Sequence, residues 1–279
     1  MSEKTIVIYH ADCYDGFSGA WTAWKRFGDV ADYRPMKYTD VMPRDLAGAR
    51  VYFIDFCYDK DTMLAYEKEA LSLTLIDHHA GARDVSEAVH DHAFDDARSA
   101  ATLAWSYFNP GVPVPEFLSY IEDSDLWRYA LPFSKEIGAY LFMVPFDFEE
   151  WDRLSRDFED QRIFEQLAER GSYYQEYFTR AVEKLAHFAE PVEFDGYTVL
   201  AVNGPRILRS ELGYVLSKWQ SPFGIVYYKA GGVWHITMRG DGVINLAEIA
   251  KRYGGNGHHN AAGFRVPDGQ PFPFKTIQK

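Results

Sequence analysis

The sequence contains little cysteine: Cys13 and Cys57 are the only two in its 279 residues. Two thiols can form one disulfide bond at most, which excludes the disulfide frameworks that hold small secreted domains together. We therefore expect a reduced, cytoplasmic setting.

Long apolar runs are also absent. No stretch approaches the roughly 20 uninterrupted apolar residues that a transmembrane helix needs. The first five residues lead into a short strand and then into polar residues, a pattern that does not predict a signal peptide. Hydrophobic residues nevertheless make up 47% of the chain, enough for a packed core. We expect a folded protein without a membrane partner.

A basic run is the third feature that the sequence lacks. It has 29 Lys and Arg against 41 Asp and Glu, for a formal net charge of −12. Proteins that bind long nucleic acids usually carry a basic stripe, so a long duplex is not an expected partner. A small anionic substrate is favoured, and a short oligonucleotide stays open because a few local Arg and His side chains can bind its phosphates.

The alternation of elements predicts an α/β protein with two domains and a connector. Residues 1–148 alternate strands and helices, which favours a mostly parallel sheet flanked by helices. Residues 149–190 are predicted to form a helical connector, either one long helix or two that break near Gly171. Residues 191–279 are predicted to form a smaller α/β domain, in which the proline-rich stretch 266–274 is irregular and exposed.

Acidic and histidine residues gather where apolar elements end. Asp77-His78-His79 follows the apolar run 73–76, which is typical of a buried strand. Similar groups follow three other elements, at 10–16, at Asp55 and at 122–125. The carboxyl ends of strands carry the ligand sites of open α/β sheets. Carboxylates this close repel one another unless cations neutralise them, and imidazole with carboxylate suits Mn, Fe, Zn or Co. Two metals are a standard device for cleaving phosphate esters.

These residues resemble the motifs of the DHH phosphoesterase family, in the family's order and across nearly the whole chain. A glycine- and histidine-rich stretch far downstream resembles the signature of the DHH-associated C-terminal domain. The matching pieces are His10 to Gly16, Asp55, Asp77-His78-His79, Asp123-Ser-Asp125 and Gly254 to Gly263.

The resemblance implies a set of metal ligands. One metal would be held by His78 and by three carboxylates, those of Asp15, Asp55 and Asp123. Asp55 would also bridge to a second metal, which His10 would ligate.

The resemblance also gives roles to the rest of the Asp-His-His motif. Asp77 would either ligate a metal or orient His78, because ligating imidazoles usually need a partner. His79 would face the substrate phosphate. With Asp55, these three residues are the expected catalytic set.

Two departures from the family pattern leave alternatives open. Many members carry Asp-x-Asp in the first motif, but here Cys13 takes the place of the first Asp. Either the neighbouring Asp12 replaces it, or Cys13 ligates as a thiolate, or that metal binds weakly. In the fourth motif, Asp123 and Asp125 can each be the ligand.

The C-terminal domain is expected to recognise the substrate. Its glycines lack side chains, so their backbone N–H groups can approach a phosphate. Arg239, at the end of a predicted strand, is a candidate phosphate clamp because guanidinium matches phosphate geometry. With His79, the expected substrate-binding residues are Arg239, Gly255, Gly257, His258 and His259.

The sequence therefore predicts a phosphohydrolase that cleaves phosphodiester bonds in small nucleotides or short oligonucleotides with two Mn²⁺ ions, for which Mg²⁺, Co²⁺ or Zn²⁺ could substitute. One alternative is a phosphomonoesterase, or a polyphosphate or pyrophosphate hydrolase. Another is a nucleotide-binding member whose degenerate metal site does not cleave. A homodimer is also left open.

Overall fold

The computed structural model describes residues 4–38 and 40–277. The chain forms two compact units, residues 1–175 and residues 176–279. Each unit contains a sheet with helices, so the predicted α/β class is confirmed. The predicted domain and connector boundaries stay predictions.

The first unit contains a five-stranded sheet in the order β2-β1-β3-β4-β5, in which every pairing is parallel. Its inner strands are apolar along their length because helices cover both faces of the sheet. The strands are β1 (Thr5–His10), β2 (Asp32–Met36), β3 (Arg50–Ile54), β4 (Ser72–Asp77) and β5 (Asp91–Phe94).

Helices cover the sheet and enclose two hydrophobic cores. Alternate residues of β1 point into different cores: Val7 contributes to one, and Ile6 and Ile8 to the other. The helices of this unit are α1 (Tyr14–Phe27), α2 (Lys60–Glu69), α3 (Arg83–Ser86), α4 (Ala100–Phe108), α5 (Glu116–Asp125), α6 (Ser134–Leu141), α7 (Phe148–Asp157) and the first part of α8 (Gln161–Ala186).

Two helices form in the predicted connector region, which is one of the two alternatives, but they do not break near Gly171. The chain leaves helical conformation between α7 and α8, and Gly171 lies inside α8. A Cβ at Gly171 would lie 1.9 Å from the backbone oxygen of Glu136 in α6. Glycine is therefore needed for the close approach of two helices, and not for a turn.

The second unit contains a seven-stranded mixed sheet in the order β10-β11-β9-β8-β7-β6-β12. Among the described residues of this sheet, β7 and β8 pair in parallel and the other neighbouring strands pair antiparallel. The strands are β6 (Glu190–Phe194), β7 (Tyr197–Asn203), β8 (Phe223–Ala230), β9 (Val233–Gly240), β10 (Asn256–His258), β11 (Ala261–Pro267) and β12 (Lys275–Thr276); the helices are α9 (Arg209–Trp219) and α10 (Leu246–Arg252).

The stretch 266–274 is less irregular and less exposed than its prolines suggest. Val266 and Pro267 belong to β11. Beyond them, the rings of Phe272 and Phe274 contact Tyr227 and pack against the core of the second unit. Aromatic burial thus outweighs the local preference of proline-rich sequence for solvent.

Within residues 4–38 and 40–277, no helix is both long enough and apolar enough to cross a membrane.

Candidate metal centre

Asp55 lies directly after β3, and the backbone aims its side chain into the protein. Its φ is 58°, in the left-handed region that Asp enters more readily than most residues. Its backbone N–H donates to the carbonyl of Ile76 at 2.9 Å, which ties the turn to β4. The carboxylate is 1% exposed, so it is held away from solvent.

The Asp55 carboxylate has no hydrogen-bond partner for either oxygen among the described residues. Three imidazole nitrogens lie close to it: His10 Nδ1 is 3.3 Å from Oδ2, and Nδ1 of His79 and Nε2 of His78 are each 3.5 Å from Oδ1. The buried Nε2 of His78 likewise lacks a hydrogen bond within that part of the chain. Buried polar atoms without partners are costly, and a cation among them would remove the cost.

Three overlapping groups of ligand atoms surround this point, each with its atoms within 4.8 Å of one another. Asp55 belongs to two of these groups, and a carboxylate can bridge two metals through its two oxygens. These clustered side chains can hold metal ions. The groups are His10–Cys13–Asp55, Asp55–His78–His79 and Asp15–His78–Asp125.

Asp77 positions both histidines that follow it. Its Oδ1 accepts hydrogen bonds from the backbone N–H groups of His78 and His79, at 2.7 and 2.9 Å, and lies 2.8 Å from the Nδ1 of the His79 ring. These contacts fix the turn after β4 and the plane of the His79 imidazole. Of the two roles left open for Asp77, the geometry supports orientation, although of the His79 ring rather than the His78 ring.

Asp15 links the cluster to helix α4. Its oxygens accept hydrogen bonds from the N–H groups of Ala100 and Ala101, at 2.7 and 2.8 Å, at the positive end of the helix dipole. Its Oδ2 also lies 3.6 Å from Nε2 of His78. Burial, together with the nearby Asp125 and Asp55 carboxylates, raises the pKa of Asp15 well above its usual value. A cation at this position would favour the ionised form.

The structure separates the two candidates of the first motif. Asp12 is exposed and forms an ion pair with Lys37 at 2.6 Å. Cys13 groups with His10 and Asp55. Burial and the neighbouring carboxylates, Asp55 first among them, raise the pKa of the Cys13 thiol well above its usual range. The geometry therefore favours Cys13 over Asp12 beside His10.

The two carboxylates of the fourth motif also separate. Asp125 Oδ2 lies 3.5 Å from Nε2 of His78 and belongs to a candidate ligand group. Asp123 instead accepts hydrogen bonds from the N–H groups of Ala130 and Leu131, at 2.9 and 3.2 Å. Asp123 thus organises the chain after α5, and the geometry favours Asp125 beside His78.

The charges of the cluster strongly shift the pKa values of its side chains. Burial lowers the pKa of His78, but the surrounding carboxylates, Asp55 first, outweigh burial and raise it to about 10. His79 follows the same pattern, with Asp77 raising its pKa to about 9. Burial and the Asp55 charge raise the pKa of Asp125 to about 6. Without a cation, these groups therefore hold protons that metal binding must displace.

The glycines between α10 and β11 have structural roles. The N–H groups of Gly254 and Gly255 donate to carbonyls at the end of α10, and a Cβ at Gly255 would lie 2.2 Å from the Gly263 oxygen. Gly257, at φ 152°, pairs with Ala262 in the β10–β11 ladder, and its N–H donates to the Asn256 side chain. The Gly255 N–H is therefore used within the fold, and the structure does not support its binding of a phosphate.

Arg239 lies at the end of β9 and is partly buried. Its Nη2 donates to Ser210 Oγ at 2.8 Å, near the start of α9. Burial, reinforced by Arg209, lowers its pKa to about 10. His258 and His259 are both exposed, and Nδ1 of His259 lies 2.9 Å from Oδ1 of Asn260. These side chains stay candidates for substrate binding.

Three aromatic residues in the turn after α5 adopt a backbone conformation that the sequence does not predict. Trp127, Tyr129 and Phe133 have φ values of 56°, 48° and 59° in the turn after α5. The sequence shows aromatic residues there but carries no signal for left-handed backbone, because bulky side chains normally avoid it.

The chain has relatives among proteins of known sequence and of known structure. No family model matches the chain. It is 28% identical to the uncharacterized protein R106 of Acanthamoeba polyphaga mimivirus, over 92% of this chain and 66% of that protein. It is 25% identical to oligoribonuclease NrnB of Bacillus subtilis, over 70% of this chain and 53% of that protein. The chain thus spans less than two thirds of the length of either relative.

Among solved structures, the chain resembles the pGpG-specific phosphodiesterase PggH from Vibrio cholerae. The TM-score is 0.52 at 15% identity, over 95% of this chain and 94% of that one. A likeness at this identity shows a shared α/β fold, with a parallel sheet flanked by helices and a second sheet.

Proposed function

We propose that this chain is a DHH-type, divalent-metal-dependent phosphodiesterase acting on small nucleotides or short oligonucleotides. The observation that carries the proposal is the buried Asp55 carboxylate, whose two oxygens lack hydrogen bonds among the described residues and face three imidazoles. Such a buried carboxylate must be neutralised, either by protonated imidazoles or by a bound cation, and a divalent cation would also use the imidazoles as ligands.

The donor set fits two divalent cations. His10, Cys13 and Asp55 would hold one of them. The other would be held by Asp15, His78 and Asp125, with Asp55 3.5 Å from His78. Mixed imidazole and carboxylate ligation suits Mn²⁺, and the thiol of Cys13 also admits Zn²⁺ or Co²⁺. When bound, the cations would supply Lewis acidity to the phosphoryl group and lower the pKa of a water.

His79 is the residue we assign to the substrate. Asp77 holds the Nδ1 edge of the ring at 2.8 Å, so the Nε2 edge points away from this carboxylate. Asp77 raises the pKa of this ring to about 9, which favours the protonated form, in which Nε2 is a donor. It can stabilise charge on a phosphoryl oxygen or give a proton to the leaving alkoxide.

The names of two related proteins agree with this chemistry. One is an oligoribonuclease and the other a pGpG-specific phosphodiesterase. Both substrates combine a phosphodiester with nucleosides and carry few charges compared with a long duplex. In the second unit we propose Arg239 as a phosphate ligand, because its partly buried guanidinium is positioned by Ser210.

Incubation with Mn²⁺ and a 5′-labelled RNA pentamer tests the proposal. The wild type should give a ladder of shortened products that disappears with EDTA. Asp55→Asn, which keeps the shape of the side chain, should abolish cleavage. Asp45→Asn is the matched control because Asp45 is exposed and pairs with Lys4 and Arg34.

Metal-dependent cleavage in the control but not in Asp55→Asn would support the proposal. No cleavage of the pentamer or of a dinucleotide by Mn²⁺-loaded wild type would contradict it.

A further inference from the structure

The turn after α5 holds aromatic side chains on an unfavourable backbone. Within the described residues, six residues other than glycine have positive φ, and Trp127, Tyr129 and Phe133 are three of them. Bulky residues rarely enter this region, and glycine would relieve the strain at each position. Strain of this kind persists where surrounding contacts enforce it, and it gathers at ligand-binding sites.

Burial does not offset the strain. Trp127 is 41% exposed and Phe133 is 54% exposed. The rings of Trp127 and Tyr129 meet edge to face, with centroids 5.1 Å apart at 71°. Lys135 Nζ lies 5.3 Å from the centroid of the Tyr129 ring and brings a positive charge to it. The turn thus presents a rigid, solvent-accessible aromatic corner next to a cation.

Asp123 enforces the conformation of this turn. Its carboxylate accepts hydrogen bonds from Ala130 and Leu131, and its backbone carbonyl accepts from the N–H groups of Arg128 and Tyr129. Four donors on one residue hold the chain from 128 to 131 against α5. These hydrogen bonds explain why Asp123, although buried, belongs to no candidate ligand group among the described residues.

The turn is also tied to the residues of the candidate metal centre. Arg128 Nη1 donates to Glu122 at 3.1 Å, and Glu122 accepts from the N–H of Ser99, directly before α4. The next N–H groups of α4 bind Asp15. In addition, Trp127 follows Asp125 by two residues, so their Cα atoms are at most about 7.6 Å apart.

We propose that the exposed ring of Trp127, supported edge to face by Tyr129, is a stacking surface for a nucleobase of the substrate. This rests on the proposed function and adds to it a residue that would bind the base of the nucleotide substrate. Every base has a π-face, so aromatic stacking binds nucleotides without requiring one base. The short chain distance to Asp125 keeps the Trp127 ring within reach of a nucleotide whose phosphate is bound at the candidate metal centre.

Steady-state kinetics of Trp127→Ala on two substrates test the proposal. One substrate is the diribonucleotide ApA, and the other is its analogue with one abasic ribose. The KM for ApA should rise about thirtyfold, which is the middle of the range for loss of one stacked base. For the analogue that lacks the base at the stacked position, Trp127→Ala should change the KM little. Trp127→Phe should keep most of the affinity for ApA. Equal KM changes on both substrates would overturn the proposal.

Two controls separate stacking from a structural role. Trp219→Ala removes a tryptophan of similar exposure, 48%, from the second unit and should leave the KM unchanged. Trp127→Gly removes the ring and also relieves the positive φ. Its melting temperature should equal or exceed that of the wild type while its KM rises. A large fall in melting temperature would mean that Trp127 acts in packing, and would overturn the proposal.

A binding measurement distinguishes failure of this proposal from failure of the proposed function. Titration with ApA should quench tryptophan fluorescence in the wild type and much less in Trp127→Phe. Quenching without cleavage would support the stacking surface while the proposed hydrolysis fails. Cleavage with identical quenching in both proteins would overturn the stacking surface and leave the proposed function intact.

Discussion

The Asp125 carboxylate lies 3.5 Å from Nε2 of His78 and belongs with it to a candidate ligand group. Asp123, two residues earlier on the same helix, serves the turn that follows. Residues two apart on a helix point roughly 200° away from each other, so only one of them can face the cluster. The pair therefore separates metal binding from structural support.

Substitution of these two aspartates should have opposite effects. Asp125→Asn should weaken Mn²⁺ binding at least about tenfold through loss of a charged ligand, with little change in the stability of the metal-free protein. Asp123→Asn should lower the free energy of unfolding by about 1–3 kcal/mol, because buried N–H groups lose an acceptor. Metal titration and urea denaturation measure the two effects. Equal losses of stability would contradict the division.

Cys13 is predicted to coordinate metal as a thiolate. Co²⁺-substituted wild type should show a thiolate-to-metal absorption band in the near ultraviolet, and Cys13→Ser should lose it. Cys57→Ser and Asp12→Asn should both keep the band, since Asp12 pairs with Lys37. A band that persists in Cys13→Ser would assign the thiolate elsewhere.

Metal binding should stabilise the fold. A ligand at 100 times its dissociation constant adds about 2.7 kcal/mol, which raises the melting temperature by about 5–10 °C for a unit of this size. Wild type should show this rise between EDTA and excess Mn²⁺. Asp55→Asn should show much less of it, because it removes the carboxylate that two ligand groups share. The same rise in both proteins would argue against a metal centred on Asp55.

Metal affinity should increase with pH. His78, with its pKa raised to about 10, carries a proton at pH 7 that must leave before Nε2 can coordinate. The raised pKa of Asp15 acts in the same direction, and that of Asp125, at about 6, adds to it below neutrality. The dissociation constant for Mn²⁺ should fall about tenfold per pH unit for each proton released between pH 6 and 8. Electron paramagnetic resonance of free Mn²⁺ measures it, and a constant value would contradict the titration.

Gly171 and Gly138 offer a matched pair of helical glycines. Gly171→Ala should destabilise by about 1–3 kcal/mol, because its Cβ would lie 1.9 Å from the Glu136 oxygen. Gly138→Ala should be neutral or stabilising by up to about 1 kcal/mol, since its Cβ would meet Ser124 Oγ only at 3.7 Å. Thermal unfolding checks both, and a neutral Gly171→Ala would contradict the close approach of α6 and α8.

The sequence predicted most of the first sheet and the gathering of Asp55, His78 and Asp15, because in a parallel sheet apolar runs and polar strand ends coincide. It left open the choice between Asp123 and Asp125, since the phase of a helix against its neighbours is a tertiary property. The same limit explains Gly171: a helical glycine looks like a break unless the partner helix is known.

The C-terminal glycines were harder to interpret for another physical reason. A glycine needed for a helix end, as at Gly255, has the same sequence signal as a glycine that exposes its N–H to phosphate. The left-handed backbone of Trp127 was also unpredictable, because hydrogen bonds to Asp123 enforce it and aromatic sequence alone argues against it.

The metal content of wild type and Asp55→Asn tests the account most directly. Both proteins would be loaded with Mn²⁺, dialysed and analysed by inductively coupled plasma mass spectrometry, with Asp45→Asn as the control. We expect two Mn²⁺ per chain in wild type and control, and one or none in Asp55→Asn. Equal metal content in wild type and Asp55→Asn would contradict a metal centre built on Asp55.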